Sequence, residues 1–265
     1  MNNQPIGILD SGVGGLSIWQ EIVSQLPNES TIYIADSKHC PYGARSADEI
    51  EKLARPLVGF LIDQKVKLIV IACNTITVSC LNKLREEFVR PPIVGIVPVV
   101  KTAVERTKTK RIGVLSTTAT AKSDHQKKLI ETFAKSYDVT SIGTDKLVPF
   151  VERGEVDSEQ LQTVLKQELR EFVEKQIDTL ALGCSHFPFL KGSMQRMLGQ
   201  NVSILDSAGA IARQVGRVLT NNSALSLKNH PTHQFFTTGD KDQFRRIANK
   251  LLGDTMADNV TYVRF

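Results

Sequence analysis

Lys67-Leu-Ile-Val-Ile-Ala72 is a continuous apolar stretch, and the polar residues Cys73-Asn-Thr75 follow it directly. A strand that is apolar at every position is typical of a parallel sheet, because helices cover both of its faces. Apolar and helical patterns alternate around this strand: strand patterns at 5–9, 31–35 and 93–97, and helical patterns at 16–26, 50–64 and 77–88. This alternation predicts an open parallel sheet with helices on both faces.

The same pattern occurs a second time further along the chain. Ile6–Ser11 resembles Ile112–Thr117 at an offset of 106 residues, and Val70–Thr75 resembles Leu180–Ser185 at nearly the same offset. A third match, between 95–98 and 203–206, keeps this order. Three similar offsets in one order indicate an internal duplication. The fold class that we expect is α/β, with two pseudo-symmetric open parallel-sheet, Rossmann-like domains.

The duplication predicts where the domains divide and where a ligand binds. We expect residues 1–97 plus 208–265 to form the first domain, because this C-terminal segment packs back on it, and residues 98–207 to form the second. In the tail, helical patterns at 208–219 and 242–252 flank a short strand at 234–238. Ligands of open parallel sheets bind beyond the carboxyl ends of the strands, so the active site is expected in the cleft between the domains.

Composition and charge exclude several classes of protein. The chain has 265 residues, of which 41% are hydrophobic, and a net charge of +5 that is dispersed along it. Even the most basic stretch, 101–111, fits a solvated helix end better than a nucleic-acid surface, so we do not expect nucleic acid as a partner. The N-terminus does not resemble a signal peptide, and apolar stretches are too short to span a membrane. We therefore expect a cytoplasmic protein with free thiols and no membrane contact.

Cys73 is the first candidate for chemistry. It follows a buried strand and precedes a helix, where backbone amides and the helix dipole favour a thiolate and lower the pKa of the thiol. The alternative is a small cysteine buried in the core.

Cys184 lies at the corresponding point of the second repeat. His186, two residues later, is placed to tune the thiol or relay a proton, and Pro188 suits the first turn of a following helix. A Cys–His pair also fits a thiol hydrolase. Cys40 and Cys80 have no matched partner, and the four cysteines show neither a C-x-x-C motif nor the spacing of a zinc site.

Asp10-Ser-Gly-Val-Gly-Gly-Leu16 is a glycine-rich turn after the first strand. It is not a dinucleotide-binding motif, because Ser17 stands where the third glycine belongs. We expect the glycines to let backbone N–H groups approach a small anion such as a carboxylate. Asp10 then assists acid–base chemistry or holds a substrate amine. Asp206-Ser207, at another strand end, is interpreted as a helix cap.

Two thiols, one in each repeat, suit one reaction in particular. Inverting the α-carbon of an amino acid requires removal of a proton from one face and its return on the other. Two acid–base groups must flank that carbon, one deprotonated and the other protonated. A thiol titrates near enough to neutral pH for both roles.

At this point the ordered motifs resemble those of the glutamate racemases, from about residue 5 to 215. The motifs that carry the resemblance are Asp10-Ser-Gly-x-Gly-Gly-Leu16, Asp36 with Pro41-Tyr-Gly43, Ala72-Cys-Asn-Thr75, Gly183-Cys-x-His-Phe-Pro188 and Asp206-Ser207. One position departs from the family pattern, because Ser185 stands where the family usually has threonine; the hydroxyl is kept and a methyl group is lost.

The resemblance implies a cofactor-independent reaction, without pyridoxal phosphate or metal, that supplies D-glutamate for peptidoglycan. It implies that Cys73 acts on D-glutamate and Cys184 on L-glutamate, with Asp10 assisting the first and His186 the second. It also implies that Glu152 supports the histidine and that the enzyme is a homodimer, as many members are. The substrate contacts that it implies are Asp10, Ser11, Tyr42, Gly43, Asn74, Thr75, Ser185 and His186.

Three other functions remain open at this level. The first is racemisation of another amino acid such as aspartate, which pocket size decides. The second is a thiol hydrolase built on Cys184 and His186, which leaves Cys73 and the duplication without a purpose. The third is a two-lobed binding protein that closes on a small anion without catalysis.

Overall fold

The computed structural model describes residues 2–96, 99–253 and 259–265. Its strands are β1 Ile6–Asp10, β2 Thr31–Ala35, β3 Leu68–Ile71, β4 Ile93–Val94, β5 Arg111–Ser116, β6 Asp138–Gly143, β7 Thr179–Gly183, β8 Ser203–Leu205, β9 His233–Thr237 and β10 Val260–Tyr262. Its α-helices are α1 Leu16–Gln25, α2 Ala47–Asp63, α3 Asn74–Glu87, α4 Val99–Arg106, α5 Thr118–Lys122, α6 Asp124–Phe133, α7 Val148–Glu152, α8 Glu159–Glu168, α9 Arg170–Glu174, α10 Lys191–Leu198, α11 Ala208–Asn221 and α12 Lys241–Leu252, and a 3₁₀ helix spans Phe187–Leu190.

The strands form two separate sheets in which every pairing is parallel. The first has the order β10-β9-β2-β1-β3-β4 and the second the order β6-β5-β7-β8. The order β2-β1-β3-β4 of the first sheet is repeated by the four strands of the second, as a duplication requires. The predicted α/β class with two pseudo-symmetric parallel sheets is confirmed.

The central strands are buried on both faces, which explains their apolar sequences. All four residues of β3 and all five of β1 are buried. Trp19 and Ile22 of α1 pack in one core cluster with Tyr33 of β2, while Leu57 and Leu61 of α2 belong to a cluster on the other face of the sheet. The sheet therefore holds the carboxyl ends of its strands in fixed positions.

The helix and strand boundaries depart from the sequence patterns by three residues in three places, and by one or two residues elsewhere. Helix α2 begins at Ala47, before the predicted residue 50, because Ser46 and Glu49 form a capping box. Helix α3 begins at Asn74, directly after Cys73, and not at residue 77. The predicted strand at 93–97 ends at Val94, since the backbone amide of Ile96 donates to the Thr77 hydroxyl in α3 at 3.3 Å; residue 97 lies outside the described residues.

The C-terminal segment returns to the first sheet. Helix α11 packs against α1, and β9 pairs with β2 over five residues, from His233 opposite Thr31 to Thr237 opposite Ala35. Strand β10, which the sequence pattern does not predict, adds an edge strand beside β9. Within the described residues, no helix is both long enough and apolar enough to cross a membrane.

Candidate active site

The carboxyl ends of β1, β3, β5 and β7 face a small cavity between the two sheets. Its volume is about 10 Å³, enough for about one water molecule. The cavity is lined by residues of both lobes: Ser11, Pro41, Tyr42, Gly43, Cys73, Asn74, Thr75, Thr117, Val148, Cys184, Ser185 and His186. Both candidate thiols thus contact one shared space.

Cys73 is the N-cap residue of α3 and is buried. Its Sγ lies 3.6 Å from the Ser11 hydroxyl. Burial and the nearby Asp10 carboxylate raise the pKa of Cys73 to about 12, although the Ile76 amide and Ser11 act in the opposite direction. The expectation that the helix terminus lowers this pKa is therefore wrong for the closed site, because desolvation outweighs the one amide that reaches the sulfur.

Cys184 is buried and directly follows β7, and its Sγ lies 3.8 Å from Nδ1 of His186. The other ring nitrogen, Nε2, lies 2.6 Å from Oε1 of Glu152. Burial lowers the pKa of His186, but the hydrogen bonds of the ring with Cys184, Cys40 and Glu152 outweigh it and raise the pKa well above its ordinary value. The Glu152 carboxylate therefore orients the imidazole ring against the thiol and favours its protonated form.

Asp10 connects the two lobes beneath the cavity. One carboxylate oxygen accepts the Gly12 amide at 2.8 Å and the other accepts the Ser185 hydroxyl at 2.9 Å. Burial raises the pKa of Asp10, while the positive His186 and these two hydrogen bonds counteract the rise. Asp10 lies behind the lining residues, next to Ser11 and within the electrostatic reach of Cys73.

The glycine-rich turn serves the protein's own side chains in this structure. The Val13 amide donates to Oε1 of Glu152 at 2.8 Å, so the carboxylate that the turn binds belongs to the second lobe. A Cβ at Gly14 would lie 2.3 Å from Nδ1 of His186, and a Cβ at Gly12 would meet the Glu152 carboxylate at 1.9 Å. The glycines therefore make room for the His186–Glu152 pair.

The remaining predicted contacts divide into two groups. Ser11, Gly43, Asn74, Thr75 and Ser185 all line the cavity. Tyr42 lines it too, but its hydroxyl donates to a carboxylate oxygen of Asp36 at 2.5 Å.

Asp206, predicted to cap a helix, lies outside the cavity and accepts a hydrogen bond at the start of a helix. Its carboxylate accepts the Ala208 amide at 2.8 Å, at the start of α11. This bond satisfies one of the free donors of the helix N-terminus.

Thr117 and Val148 line the cavity although neither was singled out from the sequence. A signal for Thr117 was present, since the duplication places it opposite Ser11. Its hydroxyl lies 3.0 Å from that of Thr75, so it joins the two lobes as well. Val148 begins the short helix α7, and its pattern carries no comparable signal.

Cys40 also reaches this region. Within the described residues, its sulfur, one carboxylate oxygen of Glu152 and one ring nitrogen of His186 all lie within 4.8 Å of one another. These three atoms form a donor set that a metal ion can use.

Comparison with known proteins identifies the family. Residues 6–215 match the family model described as Asp/Glu/Hydantoin racemase. A glutamate racemase of Lactococcus lactis subsp. lactis is 39% identical over 253 residues, which cover 95% of this chain and 93% of the relative.

Solved structures agree with the sequence match. A glutamate racemase isoform from Bacillus anthracis superimposes with a TM-score of 0.91 at 35% identity, covering 100% of this chain and 98% of the other. A glutamate racemase from Francisella tularensis in complex with D-glutamate gives a TM-score of 0.87 at 32% identity, with the same coverage. The two-lobed fold, the paired thiols of the cleft and these full-length likenesses together establish that the chain belongs to the Asp/Glu/hydantoin racemase family, among the glutamate racemases.

Proposed function

We propose that this chain interconverts L- and D-glutamate by moving protons between its substrate and two thiols, Cys73 and Cys184. The observation that carries the proposal is that equivalent strand ends of the two lobes present these thiols to one cavity. A substrate held between them has one thiol on each face of its α-carbon, which is the arrangement that inversion requires.

In the direction from L to D, the thiolate of Cys184 removes the α-proton and the thiol of Cys73 returns a proton to the opposite face. The reverse direction exchanges these roles. The His186–Glu152 pair orients and polarises Cys184 through the contact at 3.8 Å. Asp10 assists proton transfer at Cys73, and the Ser11 hydroxyl positions its sulfur through the contact at 3.6 Å. Since burial raises the pKa of Cys73 to about 12, the positive α-ammonium group of the substrate is needed to stabilise its thiolate.

The substrate carboxylates find donors at the same strand ends. The N-terminal amides of α3, at Asn74 and Thr75, favour an anion. The Ser11 hydroxyl and the backbone at Gly43 complete the set on the cavity wall, and the Ser185 hydroxyl joins them once its bond to Asp10 opens. Tyr42 contributes its ring, because its hydroxyl is engaged by Asp36.

Glutamate enters only when the lobes separate, since the closed cavity of about 10 Å³ is far too small for it. The contacts that must break include the Ser185–Asp10 and Val13–Glu152 hydrogen bonds. Closure then re-forms the His186–Glu152 environment around the bound substrate and excludes water from the reacting groups.

The wider assignments follow from the same proposal. Residues 1–97 with 208–265 form one domain and residues 98–207 the other, and the separation of the two sheets in the fold supports this division. The product D-glutamate supplies peptidoglycan synthesis in the cytoplasm, and the enzyme acts as a homodimer without pyridoxal phosphate or metal.

Circular dichroism of L-glutamate, and separately of D-glutamate, tests the proposal with purified protein and no added cofactor. We expect both enantiomers to decay to zero ellipticity, and Cys73→Ala and Cys184→Ala each to abolish the decay. Cys80→Ala is the matched control, because that thiol is buried in α3 and donates to the carbonyl of Ile76, away from the cavity wall.

Other outcomes separate the alternatives. Racemisation of aspartate but not glutamate would keep the two-thiol mechanism and overturn the substrate. Activity that persists in Cys73→Ala would overturn the two-base mechanism and favour a hydrolase built on Cys184 and His186.

A further inference from the structure

Three donor side chains of different chemistry meet beside the substrate cavity. They are the thiol of Cys40, the carboxylate of Glu152 and the imidazole of His186, and their donor atoms lie within 4.8 Å of one another. The racemisation chemistry gives the Cys40 thiol no role.

These side chains form the wall between two cavities. Cys184 and His186 line the small cavity proposed for substrate, whereas Cys40 and Glu152 line a second one of about 270 Å³. The larger cavity is wide enough to admit a hydrated ion. The cluster therefore has an entry path that does not pass through the substrate site.

We propose that Cys40, Glu152 and His186 bind a thiophilic divalent cation, with zinc as the best match, and that the bound ion inhibits the enzyme. One thiolate, one imidazole and one carboxylate, with water as the fourth ligand, make a tetrahedral zinc site with an open position. Thiolate and imidazole ligands select against magnesium and calcium, which prefer oxygen.

The geometry requires small movements only. Bond lengths of about 2.0–2.3 Å to zinc separate tetrahedral ligands by roughly 3.3–3.6 Å. The donors lie within 4.8 Å already, so the ion draws the more distant ones inward by about an ångström. The His186–Glu152 pair must open from 2.6 Å to admit it.

Binding exchanges protons for the metal. The thiol proton of Cys40 and one imidazolium proton of His186 leave to solvent, while Glu152 binds as the carboxylate. No electron is transferred.

Inhibition follows from the position of the histidine. A metal on Nε2 replaces the direct contact with Glu152 and holds the ring in a new position. The contact of 3.8 Å between Nδ1 and the Cys184 sulfur, through which the ring polarises the thiol, is then lost. This part of the inference rests on the proposed racemase function, whereas the binding site itself does not.

Cobalt titration of chelator-treated protein tests the binding site without reference to activity, because a cobalt–thiolate bond gives a charge-transfer absorption band. We expect one Co²⁺ per chain, displaced by Zn²⁺, in the wild type, in Cys184→Ala and in the control Cys80→Ser. Cys40→Ser should bind about 100-fold more weakly or worse, since even outer-shell changes cost 10–100-fold. Absence of the band in the wild type, equal binding by Cys40→Ser, or loss of the band in Cys184→Ala would each overturn the site.

Racemisation in added Zn²⁺, measured against the metal-free rate of each variant, tests the inhibition. Zinc should stop the wild type and Cys80→Ser at concentrations that leave Cys40→Ser active. If the wild type binds the ion at Cys40 but racemises glutamate at its metal-free rate, the inhibitory role is wrong. If metal-free protein does not racemise glutamate at all, the proposed function fails while the cobalt result still decides the site.

Discussion

Gly14→Ala is expected to disable the enzyme while leaving it folded. The added Cβ would lie 2.3 Å from Nδ1, 2.6 Å from Cε1 and 2.7 Å from Cγ of His186. The backbone at Gly14 does not have a positive φ, so alanine is tolerated by the main chain. The three heavy atoms nearest to the added methyl group all belong to the imidazole ring, so the ring is the group that must move.

The magnitude follows from these distances. Non-bonded heavy atoms approach to about 3.5 Å, so the ring must retreat by roughly 1.2 Å. Nδ1 starts 3.8 Å from the Cys184 sulfur and Nε2 starts 2.6 Å from Glu152. A retreat of that size breaks at least one of these contacts. Misplacement of a catalytic group by about 1 Å costs about 100-fold in rate, which corresponds to about 2.7 kcal/mol of activation free energy.

Steady-state racemisation in both directions, followed by circular dichroism, measures this effect. We expect kcat to decrease about 100-fold and KM to change little, because the substrate contacts on Asn74 and Thr75 are untouched. Gly59→Ala is the matched control, since beyond the local backbone of its own helix no heavy atom lies within 4 Å of the position that its Cβ would take. Thermal unfolding of both variants checks that the protein remains folded.

One result would refute the reasoning. If Gly14→Ala stays folded and racemises glutamate within about threefold of the wild type, less than about 1 kcal/mol of activation free energy, the position of His186 does not limit the reaction. A large increase of KM with an unchanged kcat would instead assign the glycine to substrate binding.

Three further predictions concern stability. In urea titrations, Lys67→Met should lower the free energy of unfolding by about 3–5 kcal/mol. The Glu29 carboxylate, which is 2% exposed and lies 2.5 Å from the Lys67 ammonium group, would lose its ion-pair partner and remain buried. A loss below about 1 kcal/mol would contradict this. Gly59→Ala should raise the free energy of unfolding by about 0.4–1 kcal/mol, since alanine is the better helix former and has space in α2; a lower melting temperature would argue against this. Burial raises the pKa of Asp178, but hydrogen bonds from the Thr107 hydroxyl and two backbone amides lower it to about 2, so its stabilising effect is present above about pH 4 and is lost as the pH falls towards 2. Between about pH 4 and 2, the free energy of unfolding should therefore fall by about 1 kcal/mol less in Asp178→Asn than in the wild type, after allowance for solvent screening. An equal fall in the two proteins would contradict the assignment.

The sequence was sufficient for the architecture because buried parallel strands carry a strong local signal. The apolar run before Cys73 and its counterpart before Cys184 predict both sheets and place both thiols at equivalent strand ends. The local sequence signal weakens where tertiary contacts end a strand or helix. At Ile96, for example, the backbone amide donates to the Thr77 hydroxyl and not to a neighbouring strand. Boundaries set by such contacts are not encoded in local patterns.

The electrostatics and the composition of the site were harder to predict. The pKa of Cys73 depends on complete burial, which a helix N-terminus alone does not reveal. The cluster of Cys40, Glu152 and His186 joins three distant segments, so no spacing rule for metal ligands could detect it. Thr117 was within reach, because the duplication aligns it with Ser11.

The return of the chain to its first sheet sets an order for folding during synthesis. The strands of the second sheet are made as one contiguous stretch, from Arg111 to Leu205. Strand β2 instead acquires its partner β9 roughly 200 residues after its own synthesis, a delay of about 10–40 s at 5–20 residues per second. The second lobe is therefore complete first, while the edge of β2 waits unpaired on the ribosome, open to association with other nascent chains.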